Sequence, residues 1–203
     1  MSGIAFIVSA PSGAGKTTLC KMAEGRFPDI KNSVSYTTRP SRPGESNGVD
    51  YWFVDDATFD RMVERGEFLE YADVYGKRYG TSKKDLEAFL ARGESVILEI
   101  DVQGAANVRK RLSGGVFVFI LPPSLKVAGE RLVARGKDSA EEIKRRLGIA
   151  VDEIKRAFEY DYIVINDDLT RAFEEFSAII VAERARSSRM AGKLKELFGK
   201  QTR

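Results

Sequence analysis

Short apolar runs recur along the chain, and the stretches between them change period. "GIAFIVS" (3–9), "SVILEID" (95–101), "GVFVFIL" (115–121) and "DYIVIN" (161–166) are rich in β-branched and aromatic residues and too short to stand as helices. Over 139–159 the apolar positions Ile143, Leu147, Ala150, Ile154 and Phe158 fall at helical spacing. "DDLTRAFEEFSAIIVAERARSSRM" (167–190) predicts one long C-terminal helix with Leu169, Phe173, Phe176 and Ile180 on one side. Buried strands alternating with helices predict a parallel sheet, an α/β fold.

Residues 34–82 break this rhythm. They are aromatic and Gly-rich, with strand-like "YWFV" and "FLEYADVYG" around the helical "DATFDRMVER". That pattern predicts a small mixed α+β insertion on the parallel core. From Arg135 to Glu142 the chain is charged and lacks core residues, which suits a mobile helical lid. The expected division is therefore core at 1–33, insertion at 34–82, core at 83–134, lid region at 135–146, and core with the C-terminal helix at 147–203. The basic tail beyond Arg184 reads as a solvated helix end.

Composition narrows the chemistry. The 203 residues are 43% hydrophobic and 31% charged, as in a soluble globular chain. A net charge of +3 does not ask for a nucleic-acid surface, so any anion site must come from local clustering. There is no histidine, which excludes serine–histidine triads and HExxH zinc sites, and the single cysteine, Cys20, forms no internal disulfide. Cys20 reads as a core residue. No run approaches membrane-spanning length and no cationic region precedes the first apolar run, so a cytoplasmic protein is expected.

The first strand runs into "APSGAGKT" (10–17), then into the helical "KTTLCKMAEGRF". This fits G-x-x-x-x-G-K-[ST], with Ala10 standing where the first glycine belongs. In such a loop backbone N–H groups wrap a phosphate while the helix N-terminus adds its dipole. Ala10, Pro11, Ser12, Gly13, Ala14, Gly15, Lys16, Thr17 and Thr18 are therefore candidates for binding ATP. Lys16 would reach the β- and γ-phosphates, and Thr17 would bind Mg2+. GTPases, ATPases and kinases all use this loop, so it does not name the acceptor.

"TTRPSRPGESNGVDYWF" (37–53) holds a second phosphate device. Arg39 and Arg42 sit among Pro40, Pro43, Gly44 and Gly48, with Tyr51 close behind. Arginine forks bind phosphate bidentately, a tyrosine hydroxyl adds a donor, and the prolines pre-set the loop. This stretch resembles the signature of guanylate kinases. So do "EYADVYGKRYGTS" (70–82), "LEIDVQGA" (98–105), "FILPPS" (119–124), "RLVARG" (131–136), "EEIKRRL" (141–147) and "IVINDD" (163–168), in the same order, over residues 3 to about 186.

The resemblance implies a P-loop nucleoside monophosphate kinase core, a GMP-binding insertion and a helical lid. It implies that Arg39, Arg42, Tyr51 and Tyr79 hold the phosphate of GMP, and that Ser35, Glu70, Thr81 and Asp101 read guanine. Asp101 also stands at a strand end where it serves Mg2+ through water, guanine or both, and Glu99 is similar. Arg131, Arg135 and Arg146 resemble lid arginines, and Asn166 resembles a residue that contacts adenine. Arg145 is left between the phosphates and solvent. Catalysis is expected from Lys16, Arg39, Arg135 and Arg146, with Mg2+ and no general base, because a GMP phosphate oxygen is already ionised. The implied reaction is ATP + GMP giving ADP + GDP, in purine nucleotide metabolism. dGMP is expected as a further acceptor, nucleic acid and membrane are not expected as partners, and a homo-oligomer is left open. A partner-binding relative without catalysis would have an impaired phosphate loop, a sugar kinase would lack the guanine-reading set, and a GTPase would carry a TKxD-type motif.

Overall fold

The computed structural model describes residues 3–74, 76–136 and 139–199. Lys137 and Asp138 of the expected lid, Tyr75 of the insertion, and residues 1–2 and 200–203 at the ends lie outside the described residues. Five strands form one sheet: β1 (Ala5–Ser9), β2 (Ile30–Asn32), β7 (Ser95–Glu99), β8 (Val116–Leu121) and β9 (Tyr162–Ile165). Their order is β2-β7-β1-β8-β9 and every pairing is parallel. Between them run α1 (Lys16–Arg26), α3 (Lys83–Ala91), α4 (Val102–Arg111), α5 (Leu125–Arg135) and α6 (Ala140–Lys155), and after β9 follow α7 (Leu169–Ala185) and α8 (Ser187–Phe198).

Strand alternation divides the core between two faces. Phe6 and Val8 of β1 join Leu19, Ile97, Val118, Phe176 and Ile180 under α1 and α7. Ala5 and Ile7 turn the other way, onto Leu86, Leu98, Val108 and Phe117 beneath α3 and α4. Because both faces are covered, the central strands are apolar through their middles, with Ser9, Ser95 and Glu99 at their ends. Edge strand β9 differs: Val164 is buried but Ile163 and Ile165 are exposed. The sequence run there reads as a fully buried strand, and only one face of it is.

The insertion holds a second sheet, β4-β3-β6-β5, from β3 (Tyr36–Thr37), β4 (Trp52–Phe53), β5 (Phe68–Val74) and β6 (Lys77–Ser82). Helix α2 (Asp56–Glu64) is capped by Asp55, whose side chain accepts from the Thr58 amide. Phe59 packs on Phe68 with ring centroids 4.6 Å apart, and the Arg78 guanidinium lies 4.8 Å from the Phe59 centroid. This small aromatic core is separate from the main one, which lets the insertion keep its shape at the sheet's C-terminal side.

Two helical expectations change. The single long C-terminal helix is two helices, broken at Arg186 (φ −58°, ψ 129°). The break lets Arg186 and Arg189 fold back onto Glu183, at 3.0 and 3.4 Å, where Tyr162 also donates its hydroxyl at 2.7 Å. Glu183 is only 2% exposed, and without these donors its charge would be stranded. Leu169 is exposed, so the inward face of α7 is Ala172, Phe176 and Ile180. Helix α6 ends at Lys155 and a 3₁₀ turn, Arg156–Glu159, follows. The tighter turn shifts the side-chain phase, burying Ala157 and leaving Phe158 90% exposed.

Candidate active site

Residues 10–15 connect β1 to α1 at the C-terminal edge of the sheet. Gly13 (φ 84°) and Gly15 (φ 90°) hold left-handed conformations, and a Cβ on Gly13 would stand 2.5 Å from the Ala128 carbonyl oxygen. The loop therefore needs glycine at both positions, whereas Ala10 is accepted at the consensus first glycine, partly buried against the core. The loop is also clasped from behind. Asn166 Nδ2 donates to the Ala14 carbonyl at 2.7 Å, and Arg131 Nη2 donates to the Asn166 carbonyl at 2.9 Å. Asn166 is 4% exposed; its Oδ1 and Arg131 Nη1 have no hydrogen-bond partner among the described residues.

At the mouth of the loop, Lys16 Nζ donates to the Ile100 carbonyl at 3.3 Å and the Thr17 hydroxyl donates to Glu99 at 2.9 Å. Asn32 donates to the other Glu99 oxygen at 3.4 Å, and Thr18 is exposed on α1. The strand ends of β1 and β7 thus put a lysine, a hydroxyl and the carboxylates of Glu99 and Asp101 on one rim, as parallel sheets do.

Asp101 caps α4, accepting from the Gly104 amide at 2.8 Å. A Cβ on Gly104 would lie 2.7 Å from Glu70 Oε2 and 3.1 Å from Asp101 Oδ1, so the two carboxylates converge over that glycine. Glu70 is 3% exposed and accepts from the Thr81 hydroxyl at 2.6 Å. Strand alternation alone allows Glu70 on a solvated face; a β-bulge between Phe68 and Glu70 turns Leu69 and Glu70 both inward. Burial pushes the Glu70 carboxyl up to about 7, with Asp101 adding to the rise and Thr81 and Arg111 opposing it. Ser35 is buried on the same small domain, beside β3.

Arg39 stacks over the Tyr51 and Phe53 rings (5.3 and 5.6 Å) and donates to Glu45 at 2.9 Å. Burial works against its charge, but Glu45 and Tyr79 raise its pKa overall. The second Glu45 oxygen accepts the Arg42 amide at 2.8 Å. Tyr51 and Tyr79 pack edge to face at 5.8 Å, and burial, then Tyr79 and Glu99, push the Tyr51 hydroxyl up to about 12. It stays a donor at neutral pH.

The arginines at the α5–α6 junction are less gathered. Arg135 is exposed at the end of α5, before Gly136 (φ 61°). Arg145 donates twice to Glu142, at 2.9 and 2.8 Å, and Arg146 Nε lies 3.5 Å from the same carboxylate. Arg146 is the more sheltered of the two, with its side chain 18% exposed.

Comparison with known proteins decides the family. A sequence model described as guanylate kinase matches residues 3–183. The chain belongs to the guanylate kinase family. A guanylate kinase of Geobacter sulfurreducens is 48% identical over 196 residues, covering 97% of each chain. One from Syntrophotalea carbinolica is 48% identical over 197 residues, covering 97% of this chain and 94% of its own. The crystal structure of guanylate kinase from Anaplasma phagocytophilum matches with a TM-score of 0.77 at 34% identity, over 97% of this chain and 96% of that one. The parallel sheet, phosphate loop and inserted small sheet are accordingly the P-loop nucleoside monophosphate kinase fold.

Within this guanylate kinase, three residues beyond the sequence-based set shape the site. Glu45 holds Arg39 and the Arg42 amide, and it sits inside the signature stretch, where an acid just beyond the two arginines was the available signal. Gly104 gives Glu70 and Asp101 room to meet. Glu153, on α6, faces Asp101, Lys16 and Arg146, and its Oε2 is buried with no hydrogen-bond partner among the described residues.

Proposed function

We propose that this guanylate kinase transfers the terminal phosphoryl group of ATP to GMP, giving ADP and GDP, through the residues named above. The observation that carries the reading is the buried Glu70–Thr81 pair beside the Arg39–Tyr51–Tyr79 cluster. Guanine offers N1–H and a 2-amino group to a carboxylate, and its O6 accepts from a hydroxyl. Glu70, with Asp101, takes the donors; Ser35 and Thr81 address the rest of the base edge. Arg39, Arg42, Tyr51 and Tyr79 take the phosphate, which ranks residues 34–82 as the acceptor unit. dGMP carries the same base and phosphate and is a second acceptor.

On the donor side the loop amides from Ala10 to Gly15 cradle the ATP phosphates, and Thr18 extends that cradle along α1. Lys16 leaves the Ile100 carbonyl for the β- and γ-phosphates. Arg131 and Asn166 hold the loop and flank the adenine. The rim donors fit a hard cation: the Thr17 hydroxyl with the Glu99 and Asp101 carboxylates supplies oxygen only. Among the described residues no three acidic, cysteine or histidine side chains gather as a metal cage, and Mg2+ shared with substrate phosphates needs none. When bound, Mg2+ neutralises charge on the phosphates.

The acceptor oxygen is ionised at neutral pH, so the protein's work is alignment and charge neutralisation. Closure of the 135–146 region carries Arg135 and Arg146 toward the transferring group, with Arg146 exchanging Glu142 for phosphate oxygens. Water is excluded at that moment, which protects ATP from hydrolysis. Among the described residues no helix is long and apolar enough to cross a membrane, and the enzyme's place of work is the cytoplasm, where both nucleotides are found.

A coupled ADP-release assay across GMP, dGMP, AMP, UMP and ribose bisphosphate tests the reading. GMP is expected to be used, with kcat/KM for AMP lower by about 10³-fold or more, because AMP leaves the buried Glu70 unpaired. AMP or UMP used as well as GMP would overturn it.

A further inference from the structure

Glu153 has no part in the mechanism above, yet it faces the site. It lies seven residues beyond Arg146, on the same side of α6, and lines a cleft of about 280 Å3. The opposite wall is Asp101, Val102 and Gln103 at the start of α4, with Asp73 and Val74 at the end of β5. Burial and the Asp101 charge push the Glu153 carboxyl up to about 7, and Lys16 and Arg146 offset this only in part. Its buried Oε2 has lost water without gaining a donor. Such a carboxylate is stabilised by any ligand group that brings it an O–H or N–H.

The walls indicate which donor. Asp101 and Glu153 offer carboxylate oxygens, Asp73 and Asp152 also line the cleft, and Arg145 and Arg156 offset part of this charge. A neutral hydroxyl suits Asp101 and Glu153 alike. Asp101 is the seam between this cleft and the base-reading pair, since it meets Glu70 over Gly104. A nucleotide whose base lies at Glu70 and whose phosphate lies at Arg39 and Arg42 carries its sugar between them, alongside that seam. Acidic side chains at strand ends are known partners for ribose hydroxyls in dinucleotide sites.

We propose that Glu153 reads the sugar of the acceptor nucleotide, accepting a hydrogen bond from the ribose 2′-hydroxyl and making GMP a better acceptor than dGMP. The inference rests on the GMP reading of the site. Glu153 thereby sets specificity, with Asp101 holding the near side of the same cleft.

The test is kcat/KM for GMP and dGMP with the native enzyme, Glu153→Met and Glu153→Gln. The native enzyme is expected to favour GMP by about tenfold, the worth of one charge-assisted hydrogen bond. Glu153→Met should bring the two within about twofold by losing efficiency on GMP alone, and Glu153→Gln, which keeps an acceptor, should fall between. A merely structural role would lower both substrates together. Methionine removes a buried charge at similar volume, so the melting temperature should hold; if it does not, Glu153→Gln carries the comparison. Equal use of GMP and dGMP by the native enzyme, or a ratio that neither variant moves, overturns the sugar assignment while leaving GMP phosphorylation intact. A native enzyme that phosphorylates neither would instead bring down the acceptor reading, and this inference with it.

Discussion

The two phosphate sites proposed for this molecule are built from different materials. On the donor side the binding surface is backbone: a loop fixed by Gly13 and Gly15, clasped by Asn166, and opening onto a helix N-terminus. On the acceptor side it is side chains on a turn-rich segment, where Glu45 already engages the charge of Arg39 and its second oxygen pins the Arg42 backbone amide. A backbone cradle is ready before ligand arrives and changes little when it binds. An arginine held by an acid must exchange one anion for another. Donor-side changes should therefore register in the chemical step, and acceptor-side changes in affinity for one substrate.

The sharpest break of that contrast is Lys16→Ala. Among the described residues its side chain makes one hydrogen bond, the 3.3 Å contact to Ile100, so folding should hardly change. Removing the charge that meets the transferring phosphoryl group should lower kcat by about 10²-fold or more. Steady-state kinetics beside a melting curve checks both halves; near-normal kcat would remove Lys16 from the chemistry.

Tyr51→Phe probes the other side. The ring stays beneath Arg39, and only the hydroxyl donor goes. GMP binding should weaken by about 1–2 kcal/mol, roughly tenfold, while ATP affinity by titration calorimetry without GMP stays put. Equal losses for the two nucleotides would mean that the loop serves as scaffold for both.

The smallest effect is a pH dependence confined to the acceptor. Free Glu70 titrates near 7, and guanine's donors need its carboxylate, so GMP affinity should fall as pH drops through 7. From half ionised at pH 7 to about a tenth at pH 6, the KM for GMP should rise roughly fivefold, and the KM for ATP should not follow. GMP's own phosphate also titrates near pH 6, which Glu70→Gln separates by removing only the enzyme's share. The stability effect has the opposite sense. A carboxyl raised above its unfolded value contributes fully below about 4.5, and that contribution is lost as pH rises through 7, so denaturant midpoints should decline over this window and Glu70→Gln should flatten the decline.

What could be read from the sequence follows the same division. β1, β7 and β8 are legible because burial on both faces forces continuous apolar runs, and the loop is legible because its geometry demands glycine at fixed positions. Three-residue β2 sits at the sheet edge and carries one buried residue, Ile30, too little for a pattern. The break at Arg186 has no glycine or proline to announce it; it is set by Glu183 meeting Tyr162 across the fold. Glu70 faces inward because of a bulge, which adds one residue to the period and leaves no compositional mark. Glu153 was invisible for a different reason. With Glu142 and Arg146 it forms a charged helical stripe of the kind that usually faces solvent, and only the packing of α6 over the cleft gives it a site.

The Asn166 clasp ties the enzyme's first functional segment to one of its last. Ala14 emerges early in synthesis, and the side chain that secures its carbonyl lies 152 residues downstream, at the end of an edge strand. Until β9 docks, the nascent loop lacks its rear support and has no fixed cradle to offer. The hydrogen bond that holds the loop from behind thus arrives only with the completion of the sheet.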